Sequence, residues 1–199
     1  MDKKSQTIHT YNKSAIALAQ KFDNLGVRIS DILETFALIN KQNPRVLEIG
    51  CGNGRDAKEI IKKTNDYLGV DVSEKLIDLA RVKVPEARFE VADIISFKFP
   101  KNIDIVFAFA SLIHVDKDEL KVIFMKIFNS LNQSGVVRIS LKYSDEYKEV
   151  TEESEFGIRT YYYYSQDDIK ELVGDLTIIK SEILEKRETV WFEVTLQKM

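Results

Sequence analysis

Apolar residues recur at helical spacing between positions 11 and 42: Ile16, Ala19 and Phe22, then Val27, Ile29, Ile32, Leu33, Phe36 and Ile39. Residues three and four apart share one helix face, so this pattern predicts amphipathic helix. Gly26 interrupts it, and Asn43-Pro44 closes it because the residue before proline resists helical geometry. Two periods then alternate. Short apolar runs at 45–49, 67–70, 87–91, 103–110 and 136–141 read as strands. Between them lie helical patterns at Ala57, Ile60 and Ile61, at Leu76, Ile77, Leu79 and Ala80 (entered through Ser73), and over 117–131. Strands alternating with helices predict a parallel sheet covered on both faces, with the uniformly apolar run 103–110 at its centre.

The pattern changes after 141. Residues 144–160 hold Asp145, Glu146, Glu149, Glu152, Glu153 and Glu155 against Lys148 and Arg159, and read as a solvated acidic loop. Ser165 and Asp168 predict a capping box. Runs 176–184 and 190–196, joined by a charged turn, predict an antiparallel hairpin at the sheet edge. The expected fold is therefore α/β and doubly wound, with a mostly parallel seven-stranded sheet. Residues 1–43 form a helical flap or lid, and 44–199 the main domain.

Composition narrows the function classes. The chain of 199 residues is 44% hydrophobic and 31% charged, enough apolar material for a sizeable core. A net charge of −3 leaves no electrostatic footprint for nucleic acid or anionic lipid. The strongest apolar stretch, 103–113, is broken by Asp104 and falls short of the roughly 18 residues of a membrane span. Cys51, the single cysteine, forms no internal disulfide, and the first residues lack the apolar core of a leader. The expectation is a cytoplasmic monomer or homodimer without nucleic-acid or membrane partners.

The most informative stretch is VLEIGCGNGRDA at 46–57. A strand runs through Glu48 into Gly50, Gly52 and Gly54 and then into a helix. Glycine suits a backbone that turns sharply and passes close to a ligand. In open α/β sheets, ligands bind at the carboxyl ends of strands where strand order reverses. Asp71 ends the next strand, where an ionised carboxylate accepts hydrogen bonds from a ribose diol. A dinucleotide fingerprint would place a third small residue at 55, which is Arg55. Cys51 reads as a small filler beneath the turn, Asp56 as a charge at the positive helix start, and Arg55 as solvated.

These residues resemble the class I S-adenosylmethionine-dependent methyltransferases. Glu48 to Gly54 looks like their first motif and Gly69-Val70-Asp71-Val72-Ser73 their second. Val91-Ala92-Asp93-Ile94 resembles the adenine-contacting segment, Asp104 to Ala108 with Ser111 to Val115 the fourth-strand motif, and Leu131 to Val137 the turn into the fifth strand. The resemblance implies S-adenosylmethionine as cofactor and a small-molecule acceptor, methylated by in-line displacement. It places Gly50, Gly52 and Gly54 under the methionine part, with Glu48 fixing the turn and meeting the amino group. Asp71 would hold the ribose hydroxyls and Val72 pack on the adenine. Asp93 would accept the adenine amino hydrogen beside Ile94, and Ala110 with Ser111 approach the transferable methyl. The sequence departs from the family at Asn132-Gln133-Ser134-Gly135, where Lys-Pro-Gly-Gly is usual. It also lacks the Asp/Asn-Pro-Pro-Tyr/Phe tetrapeptide of the amino-methylating nucleic-acid and glutamine branches.

His114 is the candidate catalytic residue, as an acceptor-orienting group or general base, against a plain reading as a helix-entry residue bonded to backbone. Tyr11 and Tyr143 are candidate acceptor contacts, with Lys142 on the same rim. Of the four tyrosines at 161–164, alternation places Tyr161 and Tyr163 on one side and Tyr162 and Tyr164 on the other, one pair walling a pocket or both simply packing. No clustered Asp/Asn/His set suggests a metal. A nicotinamide-dependent oxidoreductase and a non-catalytic S-adenosylmethionine-binding protein remain as alternatives.

Overall fold

The computed structural model describes residues 1–199. Three helices fill the N-terminal segment: α1 (Lys3–Lys13), α2 (Ala15–Leu25) and α3 (Ile29–Ala37). α1 starts earlier than the apolar period suggests. Its sequence is polar, and the Asp2 side chain caps it by accepting the Ser5 N–H at 2.9 Å. Gly26, at φ +81°, separates α2 from α3 as expected.

The alternating elements follow: β1 (Val46–Ile49), α4 (Ala57–Ile60), β2 (Tyr67–Asp71), α5 (Glu74–Lys83), β3 (Arg88–Val91), β4 (Ile103–Phe109), a 3-10 turn (Leu112–His114), α6 (Lys117–Ser130) and β5 (Leu131–Tyr143). Ser73 caps α5 by accepting the Leu76 N–H. Beyond β5 come β6 (Lys148–Ser154), β7 (Gly157–Tyr164), α7 (Gln166–Leu172), β8 (Thr177–Lys186) and β9 (Thr189–Gln197). α7 carries the capping box between Ser165 and Asp168.

β3-β2-β1-β4-β5 pair in parallel. β9 adds antiparallel to β5 (Ile139 opposite Val194), and β8 to β9. These seven strands are the expected sheet with its terminal hairpin. Strand order reverses between β1 and β4, which opens a crevice at their carboxyl ends.

The segment 144–160 is a correction. It is not a solvated loop but mostly an antiparallel hairpin of β6 and β7, and the end of β7 pairs in parallel with β5 (Lys142 opposite Tyr163). Strand pairing of Ile158, Thr160 and the tyrosines of β7 outweighs the charge of β6, whose acids sit exposed on the outermost strand, where charge is tolerated.

β4 is buried at every residue, as its composition predicts. On one face of the sheet Leu47, Val106 and Ile139 pack with α6 and α7 through Ile123, Phe124 and Ile169. On the other, Val46, Ile105 and Phe107 pack with Ile32 of α3 and Ile60 of α4. The N-terminal segment therefore divides. α3 belongs to the core and is stitched to β5 by Arg138–Asp31 at 2.6 Å, while Arg28 just before it meets Glu193 of β9 at 3.0 Å. α1 and α2 form a roof, with Ala15 and Ala19 against Leu76 of α5. No helix is long and apolar enough to cross a membrane.

Candidate functional site

The turn after β1 is closed by a contact only glycine permits. Gly50 sits at φ +70°, and a Cβ there would lie 2.1 Å from the Ser111 Cβ. Ser111 in turn donates to the Ile49 carbonyl at 2.6 Å, locking β1 to the end of β4. Gly52, at φ +55°, has open space above it, with nothing nearer than Phe22 at 4.0 Å. Its N–H donates to Asp71 at 2.9 Å, and the other Asp71 oxygen accepts the Ser73 N–H at 2.8 Å. Burial raises the Asp71 pKa, and these two backbone donors hold it back in part. Gly54 backs onto Ala80 of α5.

Glu48 is buried and accepts from the Tyr67 hydroxyl. Burial first, then the nearby Asp56 charge, push its pKa up to about 8. Burial also pushes the Cys51 thiol up, in keeping with a filler role. Asp56 stands at the N-cap of α4, as expected, without a side-chain cap bond there; it accepts the Arg28 N–H at 3.0 Å and pairs with Arg55, which is thereby drawn out of the solvent it was expected to face. Asp93 accepts the Ile95 N–H at 2.9 Å and meets Lys4 of α1 at 3.0 Å, and Lys4 also reaches Glu119 at 2.7 Å. Ala110 ends β4 at φ +52°, a strained non-glycine conformation held by its N–H bond to Ser140 at 2.9 Å.

Across from this wall, His114 sits between two elements. Its Nδ1–H donates to the Thr160 carbonyl of β7 at 2.6 Å, which leaves Nε2 to accept from the Tyr11 hydroxyl of α1 at 2.7 Å. Burial, with the Arg159 and Lys142 charges, lowers the His114 pKa to about 4, so the ring is neutral. α1 is pinned to β7 where the Thr160 N–H donates to Thr7 at 3.0 Å and Thr10 donates to the Ile158 carbonyl at 2.7 Å. The Tyr161 ring packs 4.8 Å from that of His114. Tyr164 points the other way and donates from the core to the Val115 carbonyl, as strand alternation requires.

One cavity of about 960 Å³ is lined by Glu48, Gly50, Gly52, Asp71, Val72, Asp93, Ile94 and Ala110 together with Tyr11 and His114. Two candidate residues fall outside it. Gly54 lies behind the turn. Tyr143 turns to Asp145, donating at 2.8 Å, and packs edge-on against Phe192. The preceding Lys142, on the opposite face of β5, takes the cavity side instead. Sequence reasoning missed Arg159, which lines the cavity from within the segment read as acidic. Its alternation with Tyr161 and Tyr163 on one strand face was the available signal.

Residues 46–135 match the family model described as a methyltransferase domain. An uncharacterised methyltransferase of Bacillus mycoides is 27% identical over 130 residues, which is 65% of this chain and 60% of that protein. This chain thus spans about 60% of the length of such curated relatives. Magnesium protoporphyrin IX methyltransferase of Synechocystis, solved with bound S-adenosylmethionine, superposes with TM-score 0.73 at 15% identity over 100% of this chain and 98% of that one. The Burkholderia thailandensis 1,6-didemethyltoxoflavin-N1-methyltransferase, solved with bound 1,6-didemethyltoxoflavin and S-adenosylhomocysteine, gives a TM-score of 0.66 at 19% identity over 85% of this chain and 77% of that one. Residues 46–135 are thus similar to the methyltransferase domain family, and the chain has the fold of solved S-adenosylmethionine-dependent methyltransferases.

Proposed function

We propose that the chain is an S-adenosylmethionine-dependent methyltransferase acting on a small-molecule acceptor. The observation that carries this reading is the pairing of the open Gly52 turn with Asp71, both on the cavity that Tyr11 and His114 line from the other side. The residues fit the cofactor. Gly52 leaves open space that a Cβ would enter, Gly50 lets the turn close on Ser111 beneath it, Asp71 has an acceptor placed for a diol, and Val72 and Ile94 offer apolar surface for a flat base. Burial raises the Glu48 pKa, and an ammonium group beside it would compensate the carboxylate charge and favour its ionised form.

When bound, S-adenosylmethionine supplies a sulfonium-activated methyl group that passes in line to the acceptor, the electron pair of the broken C–S bond staying on sulfur. The chain's own contribution is positioning. The neutral His114 ring is fixed by Thr160 and orients the Tyr11 hydroxyl, whose oxygen then has a lone pair free to accept from an acceptor O–H or N–H. His114 is thus assigned as a positioning residue and Tyr11 as the group touching the acceptor. Arg55, at the third fingerprint position and committed to Asp56, weighs against a dinucleotide.

Thermal unfolding with S-adenosylmethionine, S-adenosylhomocysteine, NAD and NADP tests the reading. A ligand at 100 times its dissociation constant adds about 2.7 kcal/mol, or roughly 5–10 °C in a domain of this size. Shifts with the first two alone are expected; a shift confined to a nicotinamide cofactor would overturn it.

A further inference from the structure

Eight cationic side chains line the cavity, and four are already paired with carboxylates. Lys4 meets Asp93 and Glu119, Arg28 meets Glu193, Arg55 meets Asp56, and Lys186 meets Glu193. Lys21 and Arg187 are exposed to solvent. Arg159 and Lys142 are different. Arg159 is only 9% exposed, yet no carboxylate lies within 4.0 Å of it; Glu152, directly opposite on β6, makes no ion pair with it. Its Nε has no partner, its hydrogen bond to Ser154 is long at 3.5 Å, and its remaining neighbours are neutral: the Tyr11 hydroxyl and the rings of Tyr11 and Phe156. Lys142 donates to the Tyr163 hydroxyl at 3.1 Å and also lacks a carboxylate.

Both cations stand over the ring of Tyr161, Arg159 at 5.4 Å and Lys142 at 4.5 Å from its centroid. Cation–π contact recovers only part of what a charge loses on leaving water. A guanidinium carries five donors in a rigid fork, and none of these is spent on a charged partner. The Tyr161 ring also packs on His114, so the unspent donors stand beside the Tyr11–His114 pair. Both charges contribute to lowering the His114 pKa, which places them within electrostatic reach of that ring.

We propose that Arg159 and Lys142 form an oxyanion site in the acceptor wall, so that the methyl acceptor is a small molecule bearing a carboxylate or a phosphate monoester. This names the substrate class of the site described above and rests on the methyl-transfer reading. A planar oxyanion matches the guanidinium fork in two parallel hydrogen bonds, and the Lys142 ammonium adds a point charge.

The test keeps the chain saturated with S-adenosylhomocysteine at low ionic strength and follows thermal unfolding with benzoate, phenyl phosphate and the neutral control benzamide. At least one anion is expected to raise Tm by about 2 °C or more, and benzamide not to. Which anion acts separates carboxylate from phosphate. Arg159→Gln and Lys142→Gln should each abolish the response while S-adenosylhomocysteine affinity stays within about twofold, and Arg159→Lys should retain part of it. Lys142→Gln, at a partly exposed position, carries the test alone if Arg159→Gln does not fold. No response to either anion, an equal response to benzamide, or a marked loss of S-adenosylhomocysteine affinity in these variants would overturn the site; the last would assign the cations to the cofactor's own carboxylate. Failure of S-adenosylhomocysteine itself to bind would instead remove the methyl-transfer reading on which the site depends.

Discussion

The two walls of the cavity are built in different ways. Gly50, Gly52 and Asp71 come from β1, β2 and the turns that follow them, a short stretch of sequence held by parallel pairing and by the Gly50–Ser111 approach. Tyr11, His114 and Arg159 come from α1, the turn after β4, and β7. The Tyr11–His114 bond spans 103 positions, and α1 meets β7 across about 150. One wall is rigid core, whereas the other is a roof assembled from two peripheral elements. On the proposed reading the first wall would hold the cofactor and the second the acceptor.

Substitution at the core wall should have the larger effect. Gly50→Ala combines a left-handed backbone penalty with a Cβ 2.1 Å from Ser111, and an expected loss of roughly 2–5 kcal/mol would appear as a large drop in Tm. Gly52→Ala, facing open space, should lose only about 1–2 kcal/mol yet still obstruct the ligand. Equal losses at the two glycines would break the distinction between them.

The walls should also respond to pH with opposite sign. Glu48 has its folded pKa raised to about 8 from 4.5, so its contribution is intact below 4.5 and is lost as pH rises towards 8. His114 has its folded pKa lowered to about 4 from 6.5. Its contribution is intact above 6.5 and is lost as pH falls towards 4, because the unfolded chain takes up the proton first. Tm against pH should show both limbs, each of the order of a few kcal/mol. Glu48→Gln should flatten the alkaline limb and His114→Asn the acid one, and a variant that leaves its limb unchanged refutes the assignment.

Asp71→Asn should weaken S-adenosylhomocysteine binding roughly 10- to 100-fold by calorimetry, the loss of charge-assisted hydrogen bonds worth about 1.5–3 kcal/mol. Tyr11→Phe, on the opposite wall, should remove about 1 kcal/mol of stability and leave that affinity within about twofold. A comparable affinity loss in both variants would mean that α1 serves the cofactor and that the two walls are not separate.

The same contrast explains what the sequence made legible. The glycine turn, Asp71, the capping residues and the central strand were readable because each follows from neighbours in sequence: a turn needs glycine, an N-cap needs a short acceptor, and a buried strand is apolar throughout. The hairpin of β6 and β7 was not readable, since the acids of β6 suggest solvation and only pairing with β7 reveals a strand. Arg159 was hidden with it. Tyr143 was expected at the site and Lys142 took its place on the cavity side, a one-residue difference in strand facing that composition does not resolve. Asp56 reads as a charge at a helix start, which it is, but its bond to Arg28, 28 positions away, leaves no local trace.

The most direct test of a cofactor wall and a separate acceptor wall is a crystal structure of the chain with S-adenosylhomocysteine. The expected result has the ribose hydroxyls on Asp71, the adenine between Val72 and Ile94, the amino acid part over Gly50 and Gly52, and the sulfur facing Tyr11 and His114. A ligand whose ribose avoids Asp71, or whose amino acid part lies on Arg159, would contradict it.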